Sequence, residues 1–229
     1  MSHPAAIADV GQDAARSLAY ATFARAFRYP DHEALGVIRD GALVAVLRQL
    51  LGVVANDLVA DTDWDALQDG GPDNDSLQEE FTRLFDTGEQ GPACPLNGSQ
   101  YRGSAMASME ELVRYYNHFG LSLPERRYEE PDHLTTQLEF LHYLTYQEAQ
   151  LARAGEDVSG LLRAQRDFIV RHPAAWIADM RQRLASQQPL RFFLELTRLL
   201  ERYLLLEAET INFRIGPATS DDDAPADRA

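Results

Sequence analysis

Apolar residues recur along this chain at intervals of three and four, and no stretch alternates with a period of two. That spacing predicts amphipathic helices and no strands. Leu18, Phe23 and Phe27, with alanines between them, define a first helix over residues 9–29, closed by Tyr29-Pro30-Asp31. Leu35, Ile38, Leu43, Val46, Leu47, Leu50 and Val54 continue as two helices broken near Asp40-Gly41. The polar stretch 61–73, around Trp64, turns the chain. Ser76-Leu77-Gln78-Glu79 has capping-box spacing, and Phe81, Leu84 and Phe85 after it share one face of a short helix ending at Gly88.

Residues 88–104 hold several Gly and Pro and no sustained period, which makes them the longest internal loop and a candidate hinge. Helix resumes through Met109, Leu112, Val113, Tyr116 and Phe119 and stops at Gly120, where a glycine C-cap is expected. A linker over 121–129 leads to Glu129-Glu130-Pro131-Asp132-His133-Leu134. There Pro131 suits an early helical position and Asp132 a place in the first turn, where the helix dipole favours a carboxylate. Leu134, Leu138, Leu141 and Leu144, with Phe140 beside them, carry that helix to about Gly155. Further helical patterns cover 158–171, 173–186 and 189–213. The expected fold is all-α, a single compact domain of about eight to ten helices over 1–216, with hinges within 88–104 and 121–131. The segment 217–229 reads as an acidic disordered tail.

The charge balance narrows the partners. With 36 acidic against 21 basic residues the net charge is −15, which argues against nucleic acid or an anionic membrane surface and suits a basic peptide or protein. All the basic residues are arginine, so Schiff-base catalysis and the phosphate-binding lysine of a P-loop are excluded. The single cysteine, Cys94, permits no internal disulfide and points to a reducing compartment. Neither a basic and then apolar leader nor a membrane-length apolar run is present, and a cytoplasmic location is expected.

Two Glu-x-x-His spacings, Glu130 to His133 and Glu139 to His142, raise the possibility of a helical carboxylate metal enzyme or carrier using those four side chains. Such motifs must face one another from different helices, whereas these histidines lie nine residues apart on one helix and its first turn. That places them roughly 13 Å apart, too far for one metal pair. Cys94 with His118 or His133 makes a thiol and a base in principle, but Cys94 lies between Ala93 and Pro95 with no helix N-terminus following to activate it. The Phe81, Leu84, Phe85 stripe reads equally as a core face or as the lining of a groove for an apolar peptide helix.

Phe81-Thr82-Arg83-Leu84-Phe85, Gly98-Ser99-Gln100-Tyr101, Tyr115-Tyr116-Asn117-His118-Phe119-Gly120-Leu121, Glu130-Pro131-Asp132-His133-Leu134 and Leu138-Glu139-Phe140-Leu141 occur in that order. Together they resemble the TorD/DmsD/NarJ family of molybdoenzyme maturation chaperones. The hinge motif here lacks an intervening residue that some members carry. The resemblance covers about residues 81–144 and implies an all-helical, non-enzymatic cytoplasmic chaperone without a cofactor, monomeric or dimeric. Its implied partner is the apo catalytic subunit of a molybdopterin oxidoreductase, through its twin-arginine leader or another segment. The residues implied for peptide binding are Phe81, Leu84, Phe85, Tyr101, Glu130, Pro131, Asp132 and His133. Nucleotide binding is not implied for a chain with no P-loop and no lysine.

Overall fold

The structure, a computed structural model, describes residues 11–73, 75–88, 91–103, 105–122 and 130–215. The acidic tail and most of the linker before Glu130 lie outside those residues. The described chain forms α1 (Gln12–Ala26), α2 (His32–Arg39), α3 (Ala42–Val54), α4 (Asn56–Ala60), α5 (Ser76–Phe81), α6 (Ala105–His118), α7 (Leu134–Arg153), α8 (Ser159–Arg171), α9 (Pro173–Ser186) and α10 (Arg191–Ile215). Among the described residues the extended backbone contacts include an isolated antiparallel bridge between Asn97 and His133, and none forms a strand longer than a bridge. The fold is all-α, and no described helix is long and apolar enough to cross a membrane.

Local chemistry explains the breaks. The Asp31 carboxylate accepts from the Ala34 amide at 2.9 Å and caps α2. Gly41 takes the left-handed conformation (φ +72°), which turns the chain between α2 and α3. Gly120, at φ +71°, does the same after α6.

Two expected helix starts are corrected. Ser76 does not form a capping box: its hydroxyl donates to the Asp73 carboxylate at 2.6 Å, and α5 has no side-chain cap. The helix after Pro131 begins three residues later than the proline suggests, because His133 is its N-cap. Pro131 and Asp132 therefore belong to the preceding turn, outside the helix.

Packing follows the apolar stripes. The face of α1 carrying Ala15, Ala19, Phe23 and Ala24 is buried, and its small residues let α7 approach closely. α10 packs on α8 and α9 through Phe192, Leu196, Leu199, Tyr203 and other fully buried side chains. Tyr115, Tyr116 and Phe119 of the α6 segment meet Phe140 of α7 and Phe168 of α8 in edge-on contacts with centroids 4.7–6.4 Å apart. That geometry is the favourable one for aromatic pairs, and it seats α6 beside the start of α7.

Candidate functional site

The turn before α7 is fastened to the loop before Tyr101 by a dense set of hydrogen bonds. The Asp132 carboxylate accepts from the Ser99 amide at 2.7 Å and from the Asn97 side chain at 3.0 Å. The Asp132 carbonyl accepts from the Gly98 amide at 3.1 Å and from the Gln137 side chain at 2.6 Å. Leu134 donates to the Leu96 carbonyl at 2.7 Å, Tyr116 to the Pro131 carbonyl at 2.7 Å, and Asn97 reaches Glu130 at 3.2 Å. His133 caps α7 through Nδ1, which accepts from the Thr135 amide at 3.3 Å. Glu130, Pro131, Asp132, His133 and the Gly98–Tyr101 turn thus form one latch, as their common motif implies.

Asp132 does not stand at an exposed helix start, the position its sequence context suggests: it is 1% exposed. The bonds to Asn97 and Ser99 have drawn it into the protein, so its replacement disturbs the fold as well as any ligand. The carboxylate metal arrangement also fails on geometry. Glu139 pairs with Arg28, and His142 Nδ1 lies 2.9 Å from the Ser17 hydroxyl and carbonyl. Among the described residues no group of three or more His, Cys, Asp or Glu is placed to hold a metal ion.

Of the two readings left open for the aromatic stripe, the structure gives the core one. Leu84 is fully buried, and Phe81 and Phe85 are packed edge-on against each other and against Phe193 of α10. The chain widens into a π turn over Thr82–Asp86, closed by the Thr87 amide donating to the Thr82 carbonyl at 3.0 Å. Half-exposed Tyr29 stands edge-on over Phe81 at 5.6 Å and carries the cluster to the surface. Cys94 is fully buried, and burial pushes its thiol above the usual value, the opposite of what a nucleophile needs.

Tyr101 lies flat on Trp176 of α9, with centroids 5.4 Å apart and planes 12° apart; its hydroxyl donates to the Pro95 carbonyl at 2.9 Å. Behind this pair and the latch opens a cleft of about 480 Å³, lined by Gly98, Arg102, Asp132, Gln137, His172 and Trp176 among others. Sequence reasoning passed over Gln137, His172 and Trp176, which come together only in the fold. Burial, with Arg171 and Arg102 nearby, pushes His172 down to about 4 from 6.5, so it is neutral at physiological pH.

This histidine makes stability depend on acidity. Between pH 6.5 and about 4 the unfolded chain protonates it and the folded chain does not. Its contribution is therefore complete above 6.5 and is lost on acidification, at about 1.4 kcal/mol per pH unit. Urea denaturation over that range should show a flatter profile for His172→Gln than for the wild type; parallel profiles would rule out the buried neutral state.

A second concavity, about 310 Å³ and mainly apolar, runs between α1, α2 and α3. Leu18, Ala21, Val37, Leu43 and Val46 line it, with Arg25 and Arg28 also present. Leu18 is 39% exposed although it sits on a helix that the periodicity marks as core-facing. The excess of apolar positions on α1 is the signal that the sequence offers for this groove.

The all-helical fold, latched through its Glu-Pro-Asp-His turn, defines a redox enzyme maturation protein of the TorD/NarJ type. Within that class the chain belongs to the nitrate reductase delta subunit family, whose profile matches residues 42–182. It is 32% identical over 171 residues to the chlorate reductase assembly chaperone protein of Ideonella dechloratans, covering 74% of this chain and 76% of that one. It is 37% identical over 115 residues to the selenate reductase assembly chaperone protein of Thauera selenatis, covering 49% and 60%. It is 27% identical over 222 residues to the perchlorate reductase assembly chaperone protein of Dechloromonas aromatica, covering 94% and 98%.

Proposed function

We propose that this chain is a cytoplasmic, non-enzymatic assembly chaperone for a molybdenum oxidoreductase of the dimethyl sulfoxide reductase type. It holds a segment of the apo catalytic subunit, the twin-arginine leader where the enzyme is exported, until the molybdopterin cofactor is in place. The observation that carries this reading is the similarity to the chlorate reductase chaperone, which extends over three quarters of both chains. The chemistry agrees with it: a net charge of −15 and exposed apolar concavities complement a cationic segment followed by an apolar one. In this reading residues 1–216 act as one chaperone domain, and the segments 88–104 and 121–131 let it adjust around the client.

The proposed contacts are Tyr101 and the 130–133 turn, with Phe81, Leu84 and Phe85 supporting from beneath. Calorimetry with the leader of a molybdoenzyme catalytic subunit encoded beside this chain should give saturable binding, weakened by Tyr101→Ala. His133→Ala should weaken it as well, while the lost cap lowers stability by only about 1 kcal/mol. Absence of binding to the leader and to the rest of the apo subunit would overturn the proposal. Unchanged affinity in both variants would move the site elsewhere.

A further inference from the structure

We infer that the cleft behind the latch is a recognition site for a neutral amide, the main-chain peptide group of an extended polypeptide segment. The inference rests on the reading of this chain as a client binder and specifies which chemistry of the client is read. Its basis is a set of buried polar atoms that lack partners within the protein: Gln137 Oε1, Trp176 Nε1 and His172 Nε2. The three side chains are 1%, 2% and 3% exposed, and all three line this cleft. Leaving such groups unpaired is costly, so each calls for a complementary group.

Their chemistry is specific. The Gln137 amide has a fixed orientation because its Nε2 donates to the Asp132 carbonyl at 2.6 Å, which leaves Oε1 as an acceptor. The same latch that carries the family motif thus sets the acceptor. Trp176 Nε1 can only donate. Gly98 keeps that donor uncovered, since a Cβ at position 98 would stand 2.8 Å from it. His172, uncharged, adds a further donor or acceptor.

Charged ligands match less well. The Asp132 carboxylate is already taken by Asn97 and Ser99. Arg102 donates to the Ala175 carbonyl at 3.1 Å, and Arg171 pairs with Glu111 at 2.6 Å. The unused capacity is one neutral donor beside one neutral acceptor, the complement of a peptide group whose C=O takes the indole N–H and whose N–H meets Gln137. The cleft, at about 480 Å³, has room for such a group with its flanking residues.

The protein's two tryptophans provide the test. Trp64 Nε1 is committed to the Val59 carbonyl at 2.9 Å, so its indole resonance is an internal control for that of Trp176. The isotope-labelled full chain is titrated with N-acetylglycine N-methylamide, and separately with sodium acetate and with methylguanidinium chloride. The Trp176 indole N–H should shift saturably with the diamide while that of Trp64 stays in place, and neither ion should reproduce the effect. Gly98→Ala, which covers the donor, and Trp176→Phe, which removes it and keeps a ring on Tyr101, should each weaken the diamide by about two- to tenfold, read on the Gln137 side-chain amide. A wild-type chain showing no saturable Trp176 shift, or one saturated instead by acetate or methylguanidinium, overturns the inference whatever the variants do. The probe carries no client sequence, so its failure alongside intact leader binding refutes the amide site alone. Diamide binding without leader or subunit binding refutes the client assignment alone.

Discussion

Arg16→Met is expected to lower folding stability by roughly 3–5 kcal/mol, the cost of stripping a buried ion pair of one partner. Arg16 is 2% exposed. Its Nε donates to Glu207 at 2.9 Å, Nη1 to Glu148 at 2.7 Å and Nη2 to Gln165 at 2.8 Å, so one guanidinium ties α1 to α10, α7 and α8. Gln165 donates in turn to Glu148 at 2.9 Å. Burial alone would push both carboxyls up. At Glu148 the charges of Arg16 and Arg214 and the bond from Gln165 outweigh it and hold the group below the usual range. At Glu207 burial wins and the group sits above its usual value.

Without the guanidinium both carboxylates are left in an apolar interior, and the folded chain relieves this by taking up protons. A raised folded-state value adds stability as pH falls through it, so the deficit of Arg16→Met should shrink on acidification from neutral pH. Adding Glu148→Gln and Glu207→Gln to the variant should restore part of the loss at neutral pH. Urea denaturation at two pH values reads both effects. A deficit under about 1 kcal/mol would mean that the carboxylates are solvated and that the network is no more than a surface ion pair.

That network shows what the sequence discloses and what it withholds. Helix positions follow from local periodicity, and the breaks at Gly41, Gly120 and Gly155 follow from backbone conformation, so these were legible. α4 was not, because five residues from Asn56 to Ala60 are too few to display a period. The two helix starts were misplaced for a different reason: capping depends on which side chain wins a local competition. Asp73 took the Ser76 hydroxyl, and His133 took the cap that Pro131 and Asp132 suggested.

The buried polar groups are joined across 132 to 191 residues, distances over which no spacing rule operates. A local signal existed all the same. Glu148 falls on the stripe of Leu141 and Leu144, Glu207 on that of Leu200 and Tyr203, and Gln137 between Leu134 and Leu138. A polar residue on an apolar stripe marks a group with a buried partner or a buried task. His172 and Trp176 carried no comparable mark, and the cleft they line is a product of tertiary structure.

Asp132→Ala is the second large effect, expected to cost roughly 3–5 kcal/mol, since hydrogen bonds to a charged group contribute about 1.5–3 kcal/mol each. The substitution leaves the Ser99 amide and the Asn97 side chain without the carboxylate that now engages both. Asp132→Asn retains one acceptor but turns an N–H₂ group toward a donor, so it should recover only part of the loss. Two readouts separate fold from function. The Ser99 amide should exchange with solvent much faster in the alanine variant, because the latch that shields it is gone. Leader affinity, measured well below the variant's own melting temperature, should fall further than in His133→Ala, because the Asp132 turn also positions Gln137. Melting behaviour unchanged from the wild type would remove the carboxylate from the latch. A destabilised variant with full affinity would make the latch a purely structural clasp and place the client's contacts on other surfaces, of which the apolar groove between α1, α2 and α3 is the first to examine.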